Sequence, residues 1–292
     1  MQPHVSVIIP NLNSHLIDKT LESLLKQTSV NSIAEILVIG LDQPGLVVEQ
    51  GPIRLISTHV PVTAPVARNI GIQEATGTHF AFIDADCVAK PDWLEMLLLA
   101  QQEGHPVVGG SVSLEVNSYR RLCYNLTMFH EFLPSTPAGE RKNFGTLNLC
   151  VRRDVVEGVG LFDERLARGQ DTEWTLRMRR HGFKLHFVPT AIVQHLPEIA
   201  DLFDVVKLWY RSGSFSIQIR QKYQDLIAMP PFHRQPFLLA ALSPLIGAAV
   251  TMRLFARNAR LLRYAHTIPV VFLTKVAWCL GASQQVRSER RA

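Results

Sequence analysis

The stretch Thr78-His79-Phe80-Ala81-Phe82-Ile83-Asp84-Ala85-Asp86-Cys87 limits what this chain can fold into more than any other. Four apolar residues in a row, Phe80 to Ile83, suit a strand buried on both faces, as in a parallel sheet. Two carboxylates one residue apart follow at once. Open α/β sheets bind ligands beyond the carboxyl ends of their strands. An Asp-x-Asp there offers hard oxygens, and Mg²⁺ uses one or two carboxylates beside water and substrate phosphates. A polar turn carries the same residues, because Asp is common in turns. The triplet alone leaves both readings open.

The flanking sequence extends the pattern. Val5 to Ile9 is a β-branched run stopped by Pro10 and Asn11, and Asn13 or Ser14 can cap the next segment. There Leu16, Ile17, Leu21, Leu24 and Leu25 form a helical stripe. Strands are expected at Glu35–Ile39, Ile53–Ile56 and His79–Ile83, with a helix over Ala64–Ala75 and another after Pro91. Four βα-type units in succession predict an α/β fold with a doubly wound, mostly parallel sheet. Further strands are expected at Val107–Leu114, Asn143–Val151, Lys184–Val188 and Ala191–His195, the last two separated by Pro189. Helices are expected at Tyr119–Phe132, Asp154–Val159 and Asp171–His181. Asp171 opens the last of these, where the helix dipole favours an anion and a capping Asp is equally at home. Arg68 is either a diphosphate-binding cation or an exposed helix charge. His195 alone reads as structural or as a ligand.

The carboxyl third differs. From Asp201 on there are 13 Lys/Arg against 4 Asp/Glu, while residues 1–200 hold 17 against 21. A basic, apolar helical appendage at 201–292 on a mildly acidic domain at 1–200 points to a membrane surface or another polyanion. Phe237–Met252 and Ile268–Ala282 are apolar runs, the second interrupted by Lys275. Both fall short of the roughly 20 residues of a span. Between them Arg253, Arg257, Arg260 and Arg263 recur every three or four residues, which predicts one basic helix face. Interfacial or re-entrant helices with an arginine face toward anionic headgroups fit this pattern, and a helical hairpin that reaches across the bilayer or a soluble core pair are the alternatives. Cys87, Cys123, Cys150 and Cys279 lack CxxC spacing and lie far apart, which argues against a zinc site or a disulfide framework and suits a reducing compartment. No basic region followed by an apolar run opens the chain, so no signal peptide is expected.

Six pieces in order resemble the family 2 glycosyltransferases of GT-A fold: Val5–Asn13, Ala67-Arg68-Asn69-Ile70-Gly71, Phe82–Asp86, Gly145–Asn148 with Arg152-Arg153, Gly160–Glu164 and Gln170-Asp171. The resemblance covers roughly residues 5–195. It implies a nucleotide-diphosphate sugar donor, a divalent metal (Mn²⁺ or Mg²⁺) held by Asp84, Asp86 and His195, and Asp171 as general base in an inverting displacement. It places Pro10, Asn13, Asp42, Arg68 and Asp84 against the donor, with Asn148 and Arg153 on the donor-sugar or acceptor side. Two departures stand out. The acids usual after the second strand are replaced by Gly40-Leu41-Asp42, and the usual Glu-Asp pair is Gln170-Asp171. Loss of that neighbouring charge lowers the Asp171 pKa relative to a Glu-Asp pair.

The basic tail points to a glycan or lipid-linked acceptor on the cytoplasmic side of the cell membrane. A nucleotidyltransferase is the first alternative, but Pro10-Asn11-Leu12-Asn13 is not a phosphate-gripping Gly-rich loop. A non-catalytic scaffold is the second. A dehydrogenase lacks its GxGxxG, and the tail is too apolar for a nucleic-acid groove.

Overall fold

A computed structural model describes residues 4–291. The chain forms two compact units. One comprises the residues up to Leu114 with Glu131–Leu196, the other Glu115–His130 with the residues from Pro197 on.

Among its described residues the first unit has a nine-stranded sheet. Its strands are β1 (Val5–Leu12), β2 (Ile33–Leu41), β3 (Ile53–Ser57), β4 (His79–Ile83), β5 (Cys87–Ala89), β6 (Val107–Ser113), β7 (Gly139–Arg141), β8 (Asn148–Arg152) and β9 (Leu185–His195). The order is β3-β2-β1-β4-β8-β6-β9-β5, with β7 paired to β9. The block β3-β2-β1-β4 is wholly parallel. Beyond it β8 runs antiparallel to both β4 and β6, while β6 and β9 are parallel. Helices α1 (Ile17–Leu25), α2 (Ala64–Glu74), α3 (Trp93–Gln102), α5 (Arg153–Val159) and α6 (Gln170–Arg180) accompany the sheet. The predicted doubly wound core is therefore present, joined to a mixed half.

Local chemistry explains the packing. Pro65 sits in the first turn of α2, where its missing N–H costs nothing. Gly71 lets that helix lie on the sheet, since a Cβ there would stand 2.6 Å from Ile8 and 2.9 Å from Ile39 side-chain atoms. Phe82 of β4 meets Phe162 and Trp174 edge-on at 5.9 and 5.6 Å, tying strand, loop and α6 into one buried cluster.

The structure corrects several expectations. The two strands predicted around Pro189 are one, because a register shift against β6 at Gly110/Ser111 absorbs the proline and Ser111 Oγ donates to the Pro189 carbonyl. The strand expected from Asn143 starts only at Asn148. β5 and β7, three residues each, carry no periodicity to read.

The second unit is helical: α4 (Tyr119–Phe129), α7 (Leu202–Lys222), α8 (Pro236–Ala241), α9 (Ser243–Arg257), a 3₁₀ helix (Ala259–Thr267) and α10 (Ile268–Glu289). The apolar run Phe237–Met252 is divided at Leu242 between α8 and α9. The four arginines do not share one helix. Arg253 and Arg257 end α9, Asn258 is extended, and Arg260 and Arg263 lie on the 3₁₀ segment.

Candidate active site

β4 delivers Asp84 just past its carboxyl end, and a tight turn follows in which the Cys87 N–H donates to the Asp84 carbonyl. The middle of the Asp-x-Asp is pinned from α1 and its approach, because Ser14 Oγ and Thr20 Oγ1 both donate to the Ala85 carbonyl at 2.9 and 3.1 Å. Sequence reading missed these two positioning hydroxyls, whose partner lies 65 or more residues away.

β5 then pairs antiparallel with the end of β9, setting Cys87 opposite His195. This brings His195 Nε2 to 3.4 Å from Asp86 Oδ2, while Leu196 N–H holds the Asp86 carbonyl at 2.8 Å. Burial is the largest influence and raises the Asp86 carboxyl, but His195, the Asp86 N–H and the Cys87 thiol together outweigh it, and the net pKa is below the usual carboxylate value. Oxygen of Asp86, nitrogen of His195 and sulfur of Cys87 lie within 4.8 Å of one another. An ionised carboxylate beside an imidazole is a donor set that suits a divalent ion such as Mn²⁺. Burial, with Asp86 and Asp84 nearby, pushes the Cys87 thiol well up, so it stands there protonated.

Arg68 comes to the same end from α2. Its Nη2 donates to Asp84 Oδ1 at 2.7 Å, yet the residue is 3% exposed and its Nε and Nη1 have no hydrogen-bond partner. Guanidinium groups pair well with anionic oxygens, phosphate among them, and two nitrogens of this one are left over. The next residue, Asn69, clamps the loop before α6. It donates to the Phe162 carbonyl and to Glu164, and accepts from the Phe162 N–H.

Asp171 lies in the first turn of α6, behind Gly169 in a left-handed conformation. Its Oδ1 accepts from the Thr172 N–H at 2.7 Å. Gly145 stands over Oδ2, and an added Cβ there would approach it to 3.5 Å. Burial pushes the Asp171 carboxyl above its ordinary value and the Asp84 charge adds to this, against the Thr172 N–H and Arg68. The neutral neighbour Gln170 removes one source of upward shift, but burial still sets the direction. Gln170 Oε1 is itself buried without a partner.

At the ends of β1 and β2, Pro10 stands opposite Ile39 and Asn11 opposite Gly40. Gly40 has φ +134°, and a Cβ would fall 1.9 Å from the Asn11 carbonyl oxygen, so no acid fits at the first position of Gly40-Leu41-Asp42. The acid comes two residues later. Asp42 Oδ2 accepts from the Val47 N–H at 2.7 Å, and its buried Oδ1 has no partner. Asn13, at φ +57°, is bonded to the Leu41 carbonyl and to Gln43 through backbone and side chain.

Two expected site residues are put to other use. Asn148 is opposite Ile83, near the Asp pair, but its amide is spent inside: Nδ2 donates to Ser111 and Ala191 carbonyls and Oδ1 accepts from Trp93 Nε1. Arg153 lies at the wrong end of β4. Its N–H donates to the Thr78 carbonyl, its guanidinium to the Ala75 and Gly77 carbonyls, and it covers the Phe80 ring at 4.7 Å.

The sequence model described as glycosyltransferase like family 2 matches residues 3–213. The chain belongs to this family. The glycosyltransferase AglE of Haloferax volcanii is 30% identical over 227 residues, which are 74% of each protein. The succinoglycan biosynthesis protein ExoM of Rhizobium meliloti is 31% identical over 169 residues, 56% of this chain and 55% of ExoM. Among solved structures, the mannosyltransferase PcManGT of Pyrobaculum calidifontis, in complex with GDP-Man and Mn²⁺, superposes with a TM-score of 0.65 at 17% identity, covering 99% of this chain and 88% of that one. GalNAc-T7 with UDP, GalNAc and Mn²⁺ gives 0.56 at 17% identity, over 78% of this chain and 52% of its own. The fold of this family 2 glycosyltransferase is thus GT-A, and the comparisons favour neither the nucleotidyltransferase nor the scaffold alternative.

Proposed function

We propose that this glycosyltransferase moves a sugar, with inversion, from a nucleotide-diphosphate donor to a hydroxyl of a lipid-linked or membrane-proximal glycan on the cytoplasmic side of the membrane. The observation that carries this reading is Arg68, buried against Asp84 with two unpartnered nitrogens and near enough to Asp171 for its charge to act on that carboxyl. Asp84, Asp86 and His195 would hold a divalent ion, Mn²⁺ or Mg²⁺. Such an ion offsets charge on a departing nucleoside diphosphate. Arg68 donates to the diphosphate oxygens while its Nη2 stays on Asp84. Asp42 Oδ1 is free to accept from an N–H of the base, and Pro10 and Asn13 shape that wall. Asp171 takes the proton of the acceptor hydroxyl as its oxygen attacks the anomeric carbon, and the bond to the diphosphate breaks on the opposite face. The raised Asp171 pKa makes it a stronger base once ionised.

Calorimetric titration with a panel of nucleoside diphosphates, with and without Mn²⁺, tests this. Tighter binding of one nucleotide with Mn²⁺, lost in Asp86→Asn, is expected. Binding indifferent to metal and to that substitution would remove Asp86 from the proposed role.

A further inference from the structure

From Leu226 to Ser288 the sequence holds seven Lys/Arg and no Asp or Glu. Among the described residues, fourteen of the eighteen exposed large apolar side chains belong to the second unit. Scattered exposed apolar groups need no explanation, but these fall into rows.

On α9 the buried face is Gly247, Thr251, Leu254 and Phe255. The outward face is Leu245, Ala249, Met252 and Ala256, spaced four, three and four apart and all exposed, Leu245 at 69% and Met252 at 67%. Exposed Arg253 and Arg257 flank this stripe. The following segment repeats every three residues, as side chains on a 3₁₀ helix do. Leu261, Tyr264 and Thr267 are buried; Leu262, Ala265 and Ile268 are exposed and apolar; Arg260, Arg263 and His266 are exposed and basic. The outer surface is therefore apolar rows edged by cations, the composition of a helix lying in a bilayer interface.

α10, within Ala259–Glu289, is long and apolar enough to cross a membrane by length and composition. Its protein partners are already close. A Cβ at Gly281 would fall 1.8 Å from the Tyr210 carbonyl oxygen, and one at Gly213 2.2 Å from that of Trp278, so α7 and α10 touch backbone to backbone. The charge inside its apolar run, Lys275, sits 4.0 Å from the centre of the Trp209 ring on α7.

We infer that the outer face of α9 and the 3₁₀ helix docks on an anionic lipid bilayer. Leu245, Met252 and Leu262 enter the headgroup boundary, Arg253, Arg257, Arg260 and Arg263 meet lipid phosphates, and α10 remains the core of the helical unit. The purpose of this surface, holding the enzyme beside a membrane acceptor, rests on the proposed function; the surface itself rests on the second unit alone. Apolar rows between the arginines favour lipid over nucleic acid, whose backbone would want a solvated basic groove.

Co-sedimentation of the full chain with phosphatidylcholine vesicles, with or without about 30% phosphatidylglycerol, tests the assignment, and needs neither donor nor acceptor. Binding is expected to the anionic vesicles, at least about ten-fold tighter than to neutral ones, and to weaken at about 0.5 M salt. Reversing all four arginines to Glu should lower it by about a hundred-fold or more. Leu245→Asn with Met252→Ser, also fully surface changes, should lower it about ten-fold with an unchanged thermal melt. Equal binding to neutral vesicles that survives alkaline carbonate would overturn the inference in favour of a spanning α10. Failure to bind either vesicle would overturn it too, and self-association abolished by the Leu245/Met252 changes would then assign the face to a second copy of the chain.

Discussion

The two ends of the sheet in the first unit handle buried charge in opposite ways. At the amino end, buried Glu35 accepts from Ser6 Oγ, from Thr76 N–H and Oγ1 and from Arg54, all within 3.2 Å. Burial raises its carboxyl, but these partners prevail and its pKa falls below the ordinary value. Arg153 likewise spends its guanidinium on two carbonyls and an aromatic face. At the carboxyl end, Asp42 Oδ1, Arg68 Nε and Nη1 and Gln170 Oε1 are buried without partners. Native proteins leave few such groups, and each costs about 1–3 kcal/mol. Glu35 and Arg153 are thus satisfied at one end, while at the other these groups stay open, as the proposed function requires of a site that a ligand completes.

The sharpest way to break this contrast is to remove one group from each end. Asp171→Asn at the carboxyl end should lower kcat about a thousand-fold, roughly 4 kcal/mol in the barrier, with nucleotide affinity kept. Near-normal turnover in a steady-state assay would take the base role from Asp171. Glu35→Ala at the amino end should do the reverse. Four donors lose their acceptor, so denaturant unfolding should show a loss of about 3 kcal/mol while kcat stays within two-fold. A catalytic defect without a stability loss would mean the two ends are not separate in function.

Arg153→Met is a finer probe, because the resemblance puts Arg153 in the site and the structure puts it across the sheet. The variant keeps the apolar stem over Phe80 and drops the two carbonyl bonds. A stability loss of about 1–2 kcal/mol with donor KM unchanged is expected. A raised KM at unchanged stability would return Arg153 to the site.

That misplacement shows where sequence reading runs out. The buried runs of β1, β2 and β4 and the Asp pair are legible because each is a local pattern with one physical meaning. Asn148 and Arg153 are five residues apart, but Asn148 opens the extended strand β8 and Arg153 follows its last residue, a rise of roughly 17 Å. The resemblance put both on the donor-sugar or acceptor side, but the antiparallel pairing of β8 with β4 sets Asn148 opposite Ile83 and carries Arg153 to the other end of that strand. Asn148 fails for another reason. It reaches the right place, but Trp93, Ser111 and Ala191 consume its amide, and no local pattern announces such partners. The arginine row shows the same limit, since its spacing predicts a single helix and extended Asn258 interrupts it.

The smallest expected effect tests whether the carboxyl end is held at a cost to stability. Burial raises the Asp171 pKa in the folded chain, with Asp84 adding to it. In the unfolded chain the group titrates near the ordinary Asp value of about 3.9. Between those two values the folded state binds the extra proton, so the contribution of Asp171 to stability is complete below the ordinary value and is lost as pH rises through the raised one. At a pH above the ordinary value the group therefore works against folding, most fully once the raised value is passed. Asn cannot ionise, so metal-free Asp171→Asn should be the more stable protein at pH 7.5, and the gap should narrow as pH falls toward 4. Unfolding curves at several pH values read this directly. A wild type equally stable or more stable at pH 7.5 would mean that Arg68 and the Thr172 N–H already neutralise the cost of burying the carboxylate, and that the carboxyl end is better satisfied than its unpartnered atoms suggest.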